Sequence, residues 1–374
     1  MTINSSIRRK SDGRQSRCRS GFTLIELLIV IAIIGILVGM VLFTLAGAQR
    51  DSSVTRTQGT IKKINEIILY RWEEFRYRAV KVNIPDDYLS RITVGPQAGQ
   101  TPVAPREGAR LRLMILRDTM RMELPDHFRD IETSPSLYHA AVFTDSGTPA
   151  IMNPPMGRSV PGEYNNLRRA FGLPPVITPF TAAISAGLPV AGSNAYDSAE
   201  LLYQIVASSN YNGSNGLEFF RPTEIGDIDS DGFPEIIDAW GTPICFIRWP
   251  AGYGEPNRSA GGVARPVDSF LNDTLVPDAL DPLKTDWRWS TSVKPWLLIP
   301  LIISAGADRE FNIVFDSNVN YATTTAVGAP GGYPNPYYFP DPYASNGGVQ
   351  QGTIFDTSVD TDADNVTNYD LLVQ

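Results

Sequence analysis

The sequence predicts an α+β protein: a long N-terminal α-helix packed on a small antiparallel β-sheet head with a loop-rich, partly helical insertion. Three observations predict it. An apolar run from Phe22 to Ala48 passes into a three- and four-residue apolar repeat that reaches Phe75. Short runs rich in β-branched and aromatic residues, bounded by Gly and Pro, lie between residues 216 and 304. Gly (31) and Pro (29) are frequent in the 374 residues, so long loops must join these elements.

The apolar run reads FTLIELLIVIAIIGILVGMVLFTLAGA, and its only polar or charged side chains are Thr23, Glu26 and Thr44. As a helix it covers roughly 40 Å, enough to cross a bilayer. A secretory signal peptide would have a shorter apolar core with a small-residue cleavage site after it. Here the small pair Ser20-Gly21 lies before the run, and cleavage there leaves the helix attached. Residues 1–21 carry a net charge of +5, which predicts a cytoplasmic leader and an exported body. Glu26 needs a partner, because a lone carboxylate in hydrocarbon is costly. Gly35 and Gly39 are a small-xxx-small pair that permits close helix approach.

Beyond the run, Val54, Thr57, Ile61, Ile64, Ile68, Trp72 and Phe75 form a stripe, with Lys62, Lys63, Glu66, Glu73 and Arg76 between them. One helix is therefore predicted from about Phe22 to Arg78, on the order of 85 Å long. Pro85, Pro96, Pro102 and Pro105 end it. The chain divides into a leader (1–21), a long helix (22–80, with 22–48 in the membrane) and an insertion (81–215). A sheet (216–320) and a low-complexity loop with an acidic C-terminal segment (321–374) complete it. Within the insertion, 110–123, 166–171 and 197–208 are predicted helices. Leu217–Phe220, Ile244–Trp249 and Leu297–Ile303 are predicted strands.

Residues 22–374 carry a net charge of −13, which disfavours nucleic acid and favours cations. Cys18 lies in the leader, so a processed chain holds one thiol, Cys245, and no internal disulfide. His127 and His139 are the only histidines, and neither lies in a metalloprotease or nucleophile–base pattern. No enzyme activity is expected.

Gly21-Phe22-Thr23-Leu24-Ile25-Glu26 resembles the prepilin cleavage and N-methylation motif of type IV pilins and type II secretion pseudopilins. The resemblance implies that a prepilin peptidase cuts between Gly21 and Phe22 and that the Phe22 amine is methylated. It also implies that Glu26 pairs with a neighbouring subunit's N-terminus as subunits stack. The sequence departs from the family at Phe43, where a proline is frequent. Asp238-Ala239-Trp240-Gly241-Thr242-Pro243 and Ser304-Ala305-Gly306-Ala307-Asp308 resemble, in sequence and order, two segments of the C-terminal sheet of major pseudopilins. On this reading Trp240 plugs the core of the head, Gly241 supplies a turn and Pro243 fixes the start of a strand.

Two acidic sets are candidates for structural Ca2+. Asp227, Asp229 and Asp231 alternate before Gly232, and Asp238 stands twelfth from Asp227, as in an EF-hand-type loop. Pro234 and the strand-like surroundings do not suit flanking helices, and a solvated acidic turn is the alternative. The second set follows from the resemblance: Asp308 with the C-terminal run containing Asp362 and Asp364, across roughly fifty residues where the family has a short loop. A disordered acidic tail is the alternative there.

The expected function is a structural subunit of a secretion pseudopilus in the inner membrane. Its expected partners are a prepilin peptidase, other pseudopilin subunits, a secretion platform protein and membrane lipid. The alternatives are a major or minor type IV pilin in adhesion or DNA uptake, or a membrane-anchored envelope adhesin.

Overall fold

The computed structural model describes residues 23–80, 104–132, 161–175, 195–253, 276–286, 289, 294–315, 342–343, 350–354 and 364–372. They fall into two compact units, residues 1–51 and 52–374. The architecture is α+β, with a long N-terminal helix and small antiparallel sheets. The predicted leader, Gly21 and Phe22 among it, lies outside the described residues.

The first helix, α1, runs Leu24–Tyr77. In the first unit its large apolar side chains, Leu24 to Leu45, are exposed. By length and composition this helix can cross a membrane. The Thr44 hydroxyl donates to the carbonyls of Met40 (3.1 Å) and Val41 (3.0 Å), so the helix itself satisfies this polar group.

In the second unit, α1 buries Ile61, Ile64, Ile67, Ile68, Trp72 and Phe75. Four further helices follow: α2 (Ala104–Glu123), α3 (Phe128–Glu132), α4 (Gly162–Ala170) and α5 (Ala195–Ser208). Leu113, Leu116 and Met120 of α2 and Leu202, Ile205 and Val206 of α5 join the α1 stripe in one core with sheet residues. The helices of the insertion thus help build the head's central core. A second cluster gathers Phe128, Ile131, Tyr164, Leu167 and Phe171.

The strands are short. β1 (Asn210–Tyr211) pairs with β2 (Ser214–Asn215), and β3 (Ile225–Gly226) pairs with β4 (Glu235–Ile236). The central sheet has the order β5 (Cys245–Ile247), β6 (Leu301–Ser304), β7 (Val366–Thr367), all antiparallel. Cys245 faces Ile303, Ile247 faces Leu301, and Ser304 faces Val366. A last helix, α6, covers Tyr369–Leu372. The residues just past the acidic run therefore supply the third strand of the sheet. Helix α5 packs against β4 and β5.

One predicted strand is corrected. Leu217–Phe220 is not extended: Gly216–Phe219 forms a 3-10 turn. The cause is local, because the Asn215 side chain caps it by accepting the Leu217 N–H at 2.9 Å. Gly216 also lies so close to α5 that a Cβ would meet the Val206 carbonyl oxygen at 2.4 Å.

Candidate functional site

The start of α1 is a reciprocal cap. Thr23 donates its backbone N–H and its hydroxyl to Glu26 Oε2, both at 2.8 Å. The Glu26 N–H donates in return to Thr23 Oγ1 at 3.3 Å. This T-x-x-E arrangement satisfies helix-start donors with a carboxylate and fixes where that carboxylate sits. The spacing Thr23–Glu26 is visible in the sequence, so the cap is a second reason for an acid at this position, beside pairing with a neighbour.

The two pseudopilin-like segments meet at one corner. Asp238 Oδ1 accepts the N–H groups of Trp240 (2.8 Å) and Thr242 (2.9 Å), closing a turn. Its Oδ2 accepts the Ser304 hydroxyl at 2.7 Å, which ties D-x-W-G-x-P to S-x-G-x-D. Burial raises the Asp238 carboxyl, and the Ser304 hydroxyl and the turn amides work against that. Trp240 packs half-buried against the main core, and Arg309 donates to its carbonyl at 3.0 Å. Gly241 takes φ +81°, a conformation that favours glycine. Pro243 is buried and bridges to Ile237 in antiparallel fashion, leading into β5. The corner is also held to α1, where Thr57 Oγ1 accepts the Ala239 N–H at 3.1 Å.

Beside this corner, Glu224 fastens the head's 3-10 turn (Pro222–Glu224) to α1. Thr60 donates to it at 2.9 Å, and Lys63 donates to both of its oxygens at 2.9 Å. Burial opposes ionisation of Glu224. The Arg221 N–H, Lys63 and Thr60 outweigh it and hold the carboxyl below its ordinary value.

The acidic sets are placed differently from the spacing argument. Asp227, Asp229 and Asp231 converge, each offering an oxygen within 4.8 Å of the others, and all three are exposed. Gly232 takes φ +97° in their turn. Asp238 is not in this group, because both of its oxygens serve the corner above. This corrects its assignment as the twelfth ligand of an EF-hand-type loop. Glu235 of β4 and Glu200 of α5, not singled out by the spacing, instead approach Asp229 within the same 4.8 Å limit. Both are buried. Burial raises the Glu200 carboxyl to about 9, reinforced by Asp231, Asp197, Asp229 and Glu235. Glu235 is pushed up to about 7 by burial and by Asp229, Asp227 and Asp231, against an opposing Ile228 N–H.

In the second set, Asp308 and Asp364 do come together. Asp364 Oδ2 accepts the N–H groups of Ala307 (2.8 Å) and Asp308 (3.1 Å). Asp308 Oδ1 accepts the Glu310 N–H at 2.8 Å. The approach is close enough to require Gly306, since a Cβ there would meet the Asp364 carbonyl oxygen at 2.2 Å. Asp362 lies outside the described residues. The described donors are thus two carboxylates, each already turned to backbone amides. Among the described residues, these two carboxylates close the turn.

Several other buried acids are ion-paired, while Asp281 instead accepts hydrogen bonds from Thr285, Asp286 and Trp289. Arg248 bridges Asp126 (3.1 Å) and Asp130 (2.8 Å), and Arg117 bridges Asp278 (3.0 Å) and Asp286 (2.6 Å). His127 contacts Asp126 at 2.9 Å through Nδ1 and the Phe315 carbonyl at 2.9 Å through Nε2. Burial works against the Asp126 charge, but Arg248 and His127 hold its carboxyl well below the usual range. Both ring nitrogens of His127 thus face oxygen atoms, and His127 converges with Asp126 and Asp130 within 4.8 Å; His139 lies outside the described residues.

Comparison with known proteins agrees with the N-terminal reading. A family profile described as the prokaryotic N-terminal methylation motif matches residues 16–42. Over 84 residues, 22% of the chain, the protein is 32% identical to the type II secretion system core protein G of Pseudomonas aeruginosa. That match spans 58% of the relative's length. No solved structure matches the chain.

Proposed function

We propose that this pilin-like, non-enzymatic chain is a structural subunit of a type II secretion-like pseudopilus. The observation that carries the reading is the methylation motif joined to a helix whose first half exposes large apolar side chains from Leu24 to Leu45, with Thr23, Glu26 and Thr44 the polar exceptions. Similarity to a core protein of a type II secretion system supports a pseudopilus over a pilus, as does the joined Asp238–Ser304 corner.

In this reading the basic leader stays in the cytoplasm, α1 crosses the inner membrane and the head faces the periplasm. A prepilin peptidase cuts between Gly21 and Phe22, and the new Phe22 amine is methylated. Subunits then stack through their apolar helix halves, and the carboxylate of Glu26 meets the amine of a neighbour. Other pseudopilins and a secretion platform protein are the partners.

Replacing Gly21 with leucine tests this directly. The expected product is an uncut, unassembled precursor, seen as a heavier membrane band. Cleavage unchanged from wild type removes the basis of the reading. Neighbouring genes for a secretion ATPase and platform protein favour the pseudopilus; their replacement by pilus-retraction genes favours a type IV pilin.

A further inference from the structure

We propose that Glu200, Asp229 and Glu235, rimmed by Asp227 and Asp231, form a binding site for one calcium ion that pins the acidic loop to helix α5. The site joins three parts of the head: α5 supplies Glu200, β4 supplies Glu235, and the loop between β3 and β4 supplies the aspartates.

The argument rests on two buried carboxylates. Glu200 is 2% exposed and Glu235 is 0% exposed. Oε2 of Glu200 and Oε1 of Glu235 are buried without a hydrogen-bond partner. Such oxygens are rare in folded proteins, because losing water without a replacement donor is costly. The other oxygen of Glu235 accepts the Ile228 N–H at 3.1 Å, so this side chain is held in place with one oxygen left over.

Other buried acids in the head have either a basic partner or, like Asp238 and Asp281, hydrogen-bond donors on both oxygens. Asp126 and Asp130 have Arg248, Asp278 and Asp286 have Arg117, and Glu224 has Lys63. Among the described residues, the charges that act most strongly on Glu200 are Asp231, Asp197, Asp229 and Glu235, all acids. A cation supplied from solution is the counterpart of those arginines.

The donor chemistry selects the ion. The converging atoms are all carboxylate oxygens, which suit a hard divalent cation; zinc would want nitrogen or sulfur. Oxygens within 4.8 Å of one another fit around an ion with bonds of ~2.3–2.6 Å. Calcium accepts many ligands in loose geometry, whereas magnesium demands a tight octahedron and keeps its water. Each of the three loop aspartates spends an oxygen on the loop itself. Gly232 N–H donates to Asp227 (3.2 Å), Asp231 N–H to Asp229 (3.4 Å) and Phe233 N–H to Asp231 (2.8 Å). Phe233 then anchors the loop, its ring 4.9 Å from that of Phe171.

The test uses the full chain in detergent, stripped with EGTA and titrated with CaCl2 by calorimetry, with thermal unfolding alongside. Wild type should take up one calcium and melt higher with it; equal MgCl2 should give little shift. Glu235→Gln and Glu200→Gln keep the side-chain shape and replace a carboxylate ligand with a weaker neutral amide. Their calcium-free forms should melt no lower than wild type, while calcium binds ~10-fold or more weakly. No calcium uptake by wild type, an equal response to magnesium, or variants that bind like wild type would each overturn the proposal. Asp364→Asn should leave the calcium response intact; its loss there would place the ion at the other turn. None of these outcomes bears on cleavage at Gly21, so the filament reading stands or falls separately.

Discussion

Helix α1 has two halves made of similar apolar residues put to opposite use. From Leu24 to Leu45 isoleucine, leucine and valine point outward all round the helix. From Ile61 to Phe75 the same residue types are confined to one stripe, and all of that stripe is buried in the head. Polar residues make the difference. Lys62, Lys63, Glu66, Glu73 and Arg76 break the second half into faces, so only one face can leave water. The first half offers only Thr23, Glu26 and Thr44, and their side chains bond within the helix. A helix apolar all round needs an apolar surrounding, whether lipid or other helices.

The sharpest way to break this contrast is to change Glu26. Glu26→Gln keeps an oxygen that accepts the Thr23 N–H, so the helix cap survives. It removes only the charge. A carboxylate at membrane depth costs ~2.5–3.5 kcal/mol unless paired. If its partner is a neighbour's amine, the variant should insert normally, melt like wild type and fail to enter filaments. Filaments formed in wild-type amount would assign Glu26 to the cap alone.

A paired substitution measures the two halves on one scale. Phe75 is 1% exposed within the main core. Phe75→Ala should lower the stability of the head by ~3–5 kcal/mol, through lost burial and a residual cavity. Leu37 is 56% exposed, and Leu37→Ala should leave the unfolding midpoint of the head unchanged. Denaturant unfolding of the full chain in detergent reads both. A comparable loss from Leu37→Ala would show that the first half carries part of the head's packing.

How far the sequence could be read follows the same division. Contiguous patterns were legible: the apolar run, the 61–75 stripe and the three later helices have strong periods and clear stops. Ile67, one three-residue step from Ile64, belongs to the same buried face and widens the stripe. The strand reading of Leu217–Phe220 failed because one polar side chain, Asn215, redirects the backbone. Strand β7 could not be read from two residues, since only pairing with β6 makes Val366–Thr367 a strand. The Asp238–Ser304 bond joins segments 66 residues apart, and resemblance rather than spacing pointed to both. Glu200 and Glu235 lie 35 positions apart, on elements that meet only because α5 packs on β4. Nothing local marks either as special. The alternating aspartates were conspicuous, but Asp238 fitted the spacing and not the space.

The smallest expected effect concerns how α1 is fastened to the head, and acid should reveal it. Glu224 is held by Lys63, Thr60 and the Arg221 N–H. Its carboxyl lies below its ordinary value of 4.5 in the folded head. The unfolded chain therefore binds a proton at this residue more readily than the folded one does. The stabilisation is complete above about pH 4.5 and declines as pH falls through the lower folded value. Glu224→Gln should cost ~1–3 kcal/mol at neutral pH, because hydrogen bonds to a charged group are replaced by weaker ones. The difference from wild type should narrow as pH drops below 4.5, where wild type is losing the same charge. Urea midpoints of both proteins at several pH values measure it. Lys63→Met should produce the same narrowing, since Lys63 sees the carboxylate only while it is ionised. Parallel pH curves for wild type and Glu224→Gln would mean that Thr60 and the Arg221 N–H fasten the turn without help from the charge.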